Sequence, residues 1–231
     1  MNRRRTEILA EMGLAPVWRL RGRVAPEPAA ASEATPARES REEQILRLDW
    51  TALKARVAGC TDCKLRASCT QTVFGVGDER AQWMLVGEAP GAEEDRLGEP
   101  FVGQAGKLLD NMLAAIDLQR GRNVYIGNVL KCRPPGNRNP EPEEVAACTP
   151  YLLRQIALIQ PKLILAMGRF AAQTLLDTEA TIASLRGNVH RYAGVPLVVT
   201  YHPAYLLRSL HDKAKAWADL RFAVRTMAGL D

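Results

Sequence analysis

No apolar run in this 231-residue chain approaches the roughly 20 residues that cross a bilayer, which excludes a helical membrane span. The first residues are not expected to act as an apolar leader either. The opening stretch, MNRRRTEILAEMG, is interrupted by Glu7 and Glu11, whereas a secretory signal needs an unbroken apolar region. A cytoplasmic setting without membrane contact is therefore expected. Internal repeats are absent. Cysteine is scarce at five residues, and in a cytoplasmic chain these are not expected to form structural disulfides. What is present is a hydrophobic content of 47%, enough for a real core, in a length that suits one sizeable domain plus a tail. The net charge of +5 fits a polyanion partner only weakly, because many basic proteins bind no nucleic acid.

The chain divides unevenly. Residues 1–24 read as a short N-terminal helical segment, with Ile8, Leu9, Met12, Leu14, Val17, Trp18 and Leu20 spaced along Thr6–Leu20. Such a helix either frays or docks on the domain or on a protein partner. Residues 25–48 read as a linker, centred on Ala25–Ala37, which is rich in Ala and Pro and lacks apolar periodicity. Residues 49–231 read as the functional domain.

Within that domain short apolar β-type runs alternate with helical patterns. The runs are Trp83–Val86, Val124–Ile126, Leu163–Ala166 and Leu197–Thr200; the helices are Ala105–Ile116, Glu143–Ile159, Phe170–Leu176 and Lys213–Met227. This rhythm predicts an α/β fold: one three-layer domain with a central, mostly parallel four-stranded sheet flanked by helices. The runs are nearly all apolar, as strands covered on both faces are.

Open α/β sheets bind ligands beyond the carboxyl ends of their strands. Gly87-Glu88 follows the first run, Gly127-Asn128 the second, Gly168-Arg169 comes after Met167 beyond the third, and Tyr201-His202-Pro203 follows the last. Glu88, Asn128 and His202 are thus expected to converge. The stretch from Val86 to Gly106, VGEAPGAEEDRLGEPFVGQAG, adds glycines that let backbone approach a ligand, several carboxylates and one aromatic, Phe101. A flat apolar ring beside strand-end polar groups suits a planar polar ligand such as a nucleobase.

Cys60 and Cys63 form a C-x-x-C, Cys132 follows the second run, and Cys148 comes after a further 15 intervening residues. Four thiolates suit zinc or an iron–sulfur cluster. Structural zinc usually takes two close pairs; one pair with two singletons tilts toward [4Fe–4S], although spacing leaves both open. Cys69 is the odd thiol, near enough to Cys63 to compete.

These motifs resemble family 4 uracil-DNA glycosylases, the iron–sulfur branch of their superfamily. The resemblance rests on Cys60–Cys63, VFGVGD at Val73–Asp78, GEAPGAEED at Gly87–Asp95 and PFVGQAGKLL at Pro100–Leu109. It continues in NVLKCRPPGNRNP at Asn128–Pro140, Cys148, and YHPAYLLR at Tyr201–Arg208. It covers roughly Asp49 onward and leaves out residues 1–48.

The resemblance implies a monomeric DNA repair enzyme that hydrolyses the bond joining uracil to deoxyribose in DNA, leaving an abasic site. It implies that Phe101 stacks on the base, that Asn128 reads the uracil edge, and that the backbone near Gly87 and Gly91 adds contacts. It places His202 as donor to the departing uracil anion, with Glu88 and Asn137 near the sugar and attacking water. Glu94 is expected to shape its loop. The cluster ligands it implies are Cys60, Cys63, Cys132 and Cys148. One departure stands out: the aspartate that other branches use to orient water is Ala89 here. A related branch that traps DNA covalently through a histidine in a basic insert is not matched, since Lys131–Pro135 runs directly into Gly136-Asn137.

The other class weighed is an iron–sulfur module that binds uracil-DNA without turnover, or carries electrons. Electron transfer needs none of Glu88, Phe101, Asn128, Asn137 and His202. Phosphate contacts are expected among Arg133, Arg138, Arg186, His190, Arg191 and Arg208, and an apolar wedge into the duplex from Pro203–Leu207.

Overall fold

The computed structural model describes residues 3–14 and 39–230, which fall into two units, Met1–Glu39 and Ser40–Asp231. In the first, α1 (Arg3–Glu11) is helical with no buried residue. The helix starts earlier than the expected Thr6–Leu20 stretch and stops at Glu11, with 12–14 non-helical; positions 15–20, and the linker centre at 25–37, lie outside the described residues.

The second unit opens with α2 (Arg41–Arg47) and α3 (Trp50–Ala58). The linker expected through residue 48 therefore ends earlier. Ser40 accepts from the Glu43 amide while the Glu43 carboxylate accepts from the Ser40 amide, a reciprocal cap typically worth ~1 kcal/mol. Ile45 is then buried in a small core with Leu53, Val57 and Tyr151. Arg41 anchors the helix further by donating to the Ala147 carbonyl at 2.6 Å.

The rest runs β1 (Val76–Gly77), β2 (Trp83–Gly87), α4 (Ala92–Leu97), α5 (Gln104–Ala114), β3 (Val124–Asn128), α6 (Pro142–Ile159), β4 (Leu163–Met167), α7 (Arg169–Leu176), α8 (Ile182–Leu185), β5 (His190–Tyr192), β6 (Val195–Thr200), α9 (Pro203–Arg208) and α10 (Lys213–Ala228). The six strands are ordered β1-β3-β2-β4-β6-β5. The central four are parallel, as expected; β1 and β5 are added at the two edges, both antiparallel. These edge strands are two and three residues long, too short to leave an apolar pattern.

All five residues of β2, β3 and β4 are buried. Alternation along each strand divides them between two cores. Met84, Val86, Tyr125, Ile164, Ala166 and Val199 meet α6 and α7 on one face. Trp83, Leu85, Val124, Ile126, Leu165 and Val198 meet α5 and α10 on the other. This is the three-layer arrangement.

Parallel pairing sets Gly87 against Asn128 and Met167 against Thr200. The residues after β2, β3, β4 and β6 therefore emerge along one edge. The chain also leaves β2 for β3 on one side and returns to β4 on the other. Ligands of open α/β sheets sit where strand order reverses in this way.

Candidate active site at the carboxyl edge of the sheet

A cleft of about 830 Å³ opens at that edge, lined among others by Glu88, Gly91, Phe101, Asn128, Asn137 and His202. Six candidate residues spread over more than a hundred positions thus line one cleft. Gly87 stands behind it: a Cβ there would lie 2.4 Å from Asn128 Oδ1 and 2.7 Å from Phe101 Cζ. Any side chain at position 87 would therefore push both groups out of place.

Asn128 closes β3 and is 2% exposed, and its Oδ1 is buried without a hydrogen-bond partner among the described residues. A buried polar atom left unpaired is costly, and it occurs in native proteins mainly where a ligand or water completes it. The Asn128 backbone is anchored from below, because its carbonyl accepts from Lys131 Nζ at 2.8 Å. Lys131 is itself buried and also donates to Gln155 Oε1 at 2.7 Å; burial draws its ammonium pKa down to about 8.

His202 caps α9. Its Nδ1 accepts from the Ala204 amide at 3.1 Å. In the neutral ring the proton then sits on Nε2, which becomes a donor. Burial lowers its pKa to about 4, so the ring is neutral at physiological pH. Gly168, at φ 94°, leaves room for it, since a Cβ there would sit 2.9 Å from the His202 Cβ.

Glu88 lines the cleft without a hydrogen-bond partner for its carboxyl among the described residues. Burial raises its pKa to about 7, against a smaller lowering by Arg169. Arg169 also lines the cleft, its guanidinium 4.5 Å from the Phe170 ring centroid. Sequence reasoning gave Arg169 no role; its place directly after a strand-end glycine, Gly168, was the available signal. Asn137 sits in a tight turn at φ 55°, with its Oδ1 accepting from Arg133 Nε at 2.8 Å. Glu94 shapes its loop by accepting from the Val102 amide at 3.0 Å.

The basic residues expected to face phosphate divide into two groups. Arg186 is committed to Asp219 through two contacts of 2.6 and 2.7 Å, and Arg138 to Glu144 through 2.6 and 2.9 Å. His190 Nε2 bonds the Leu185 carbonyl and Arg191 the Gly194 carbonyl. Arg208 lines the cleft and forms no ion pair among the described residues. Beside it, Tyr205 stacks on Tyr201 with centroids 5.3 Å apart, and Leu207 and Leu210 are exposed.

The cysteines gather behind the cleft. Cys69, Cys132 and Cys148 share one core with the half-buried Cys63, and Cys60 adjoins it, its Sγ 3.4 Å from the Tyr151 hydroxyl. All five are free thiols. Burial raises the Cys132 thiol, and the Cys69, Cys148 and Cys63 thiols close by raise it further. Among the described residues no three side chains stand in a ready metal-holding array. The donor chemistry nonetheless fits a thiolate-bound cluster: soft ligands, buried, unpaired by disulfides and mutually repelling when ionised. Cys69 packs in the same core as Cys132, which keeps it in the same neighbourhood.

Residues 74–221 match the family described as the uracil DNA glycosylase superfamily. The type-4 uracil-DNA glycosylase of Archaeoglobus fulgidus is 50% identical over 159 residues, 65% of this chain and 79% of that protein. The type-4 enzyme of Thermotoga maritima is 46% identical over 69% of this chain and 84% of its own length. That of Pyrobaculum aerophilum is 43% identical over 70% and 86% respectively. Among the described residues no helix is long and apolar enough to cross a membrane.

Proposed function

The chain belongs to the uracil DNA glycosylase superfamily, and from that premise we propose that its cleft excises uracil from DNA by hydrolysis, leaving an abasic site. One observation carries the reading: a buried asparagine with an unpartnered Oδ1, beside an aromatic ring and a neutral histidine donor.

Flipping uracil out of a duplex costs a few kcal/mol, recovered by the pocket. Phe101 offers a stacking face. Asn128 Oδ1 accepts from uracil N3–H while its amide donates to O4. Cytosine presents an acceptor and a donor in the opposite order, so its binding would leave buried groups unpaired. As the C1′–N1 bond breaks, the electron pair moves onto the base. His202 Nε2–H stabilises that charge as a neutral donor already in place. Water forms the new C1′–O bond and gives a proton to Glu88, whose pKa near 7 suits a base at working pH. Asn137 orients that water, taking part of the role left by Ala89. The cleft arginines, Arg208 and Arg169 foremost, hold phosphate.

Cys60, Cys63, Cys132 and Cys148 would hold a [4Fe–4S] cluster, with Cys69 outside the set. Bound, it supplies an architectural tie between the segment before β1 and the loop after β3.

The experiment is incubation with a uracil-containing oligonucleotide and then alkali. Strand breaks at uracil alone support hydrolysis. Tight binding without abasic product would favour a binding module instead.

A further inference from the structure

Phe101 has φ 56°, the left-handed region that a bulky aromatic residue avoids. Such a conformation persists only where its surroundings hold it, and it tends to occur where function needs it. The surroundings here are specific. Arg120, in the turn between α5 and β3, donates Nη1–H to the Pro100 carbonyl and Nη2–H to the Phe101 carbonyl, both at 2.9 Å. Asp110 on α5 fixes the same guanidinium by accepting from Nε at 3.0 Å. Gly106 completes the fit, for a Cβ there would stand 1.7 Å from the Phe101 oxygen. Arg120 itself does not line the cleft.

We propose that Arg120 is a positioning residue for uracil recognition: by gripping two successive carbonyls it holds Phe101 in the left-handed turn and so aims its ring into the cleft. The proposal rests on Phe101 being the stacking face. A guanidinium suits the task because its rigid planar fork fixes the orientation of the peptide between the two carbonyls. An ammonium is a single point charge and cannot fix both.

The test is a double-mutant cycle on the intact protein with uracil-DNA in single-turnover kinetics, using Arg120→Ala, Phe101→Ala and the pair. Arg120→Lys serves as the conservative variant, and melting temperature is measured throughout. The expected result for Arg120→Ala is a rise of about tenfold in the half-saturating enzyme concentration with a smaller change in maximal rate, the mark of lost binding rather than lost chemistry. Arg120→Lys should restore little of it. In the Phe101→Ala background the Arg120 substitution should add less than about twofold, because the ring it aims is gone. Costs that multiply fully, or a lowered melting temperature with unchanged saturation, would overturn the proposal. Unchanged kinetics for Phe101→Ala would instead remove the stacking reading, and the role of Arg120 with it. Should Arg120→Ala not fold, Arg120→Lys carries the same cycle: full activity from it, or a cost undiminished without Phe101, overturns the proposal.

Discussion

The Phe101 ring stacks on the His202 imidazole, with centroids 5.3 Å apart and planes inclined by 29°. One residue comes from the loop after α4 and the other from the end of β6. The contact joins the proposed base platform to the proposed donor, so movement of either is felt by the other.

His202→Ala is expected to lower the single-turnover rate on the order of 10²–10³-fold with a smaller loss of substrate affinity, since the donor acts on charge that develops in the transition state. Losing the cap on α9 should cost ~1 kcal/mol of stability. With a folded pKa of about 4, His202 stays neutral as pH falls from 7 to 5, so its titration adds no inflection near 6.5 to the rate profile. Rates measured from pH 5 to 9, with melting curves on the same preparation, check both points.

Asn128→Asp keeps the shape and replaces an amide donor with a carboxylate facing uracil O4. Uracil excision should fall by more than ~10²-fold. Near-normal excision by a folded variant would remove Asn128 as the reading group.

The rate is expected to depend on pH through Glu88. Its folded pKa of about 7 lies above the ordinary 4.5, so activity requiring the carboxylate should rise through about pH 7. Glu88→Gln should flatten that limb and lower the plateau by roughly 10²-fold or more. Arg169→Ala, which removes a cation that favours the ionised carboxyl, should move the inflection upward. Stability carries the matching sign. The native state holds a proton that the unfolded chain releases above about 4.5. The contribution of Glu88 is therefore complete below that pH and is lost as pH rises through about 7. Relative to wild type, Glu88→Gln should be favoured at pH 8–9, which denaturant melts at two pH values can show.

Purified protein should be brown and contain iron and sulfide. Serine at Cys60, Cys63, Cys132 or Cys148 should bleach it and lower its melting temperature, whereas Cys69→Ser should leave the colour. Colourless, active protein with stoichiometric zinc would count against the cluster.

Two arginines near the cleft should behave oppositely. Arg208→Ala should reduce the slope of log affinity against log salt by about one, as expected for one lost phosphate contact. Arg186→Ala should leave that slope alone and cost about 3 kcal/mol of stability, because it strands the 3%-exposed Asp219 carboxylate. Salt titrations and denaturant melts on both variants separate the two roles.

The sequence alone determined the α/β class, the four central strands and the edge at which chemistry gathers. These follow from local signals: apolar runs buried on both faces, the period of the helices, and the polar residues that end each run. The motifs around Gly87, Asn128 and His202 also carried the family. Tertiary structure alone decided the rest. The short edge strands Val76–Gly77 and His190–Tyr192 take their form from pairing with β3 and β6 rather than from any pattern of their own. Helix α2 was hidden in a polar stretch because its evidence is a cap and a single buried isoleucine. The arginines look alike in one dimension; only the fold brings Asp219 to Arg186 and leaves Arg208 on the cleft. The shifted acidities of Glu88 and His202, and the grip of Arg120 on Phe101, likewise depend on burial and distance, which arise only when distant segments pack.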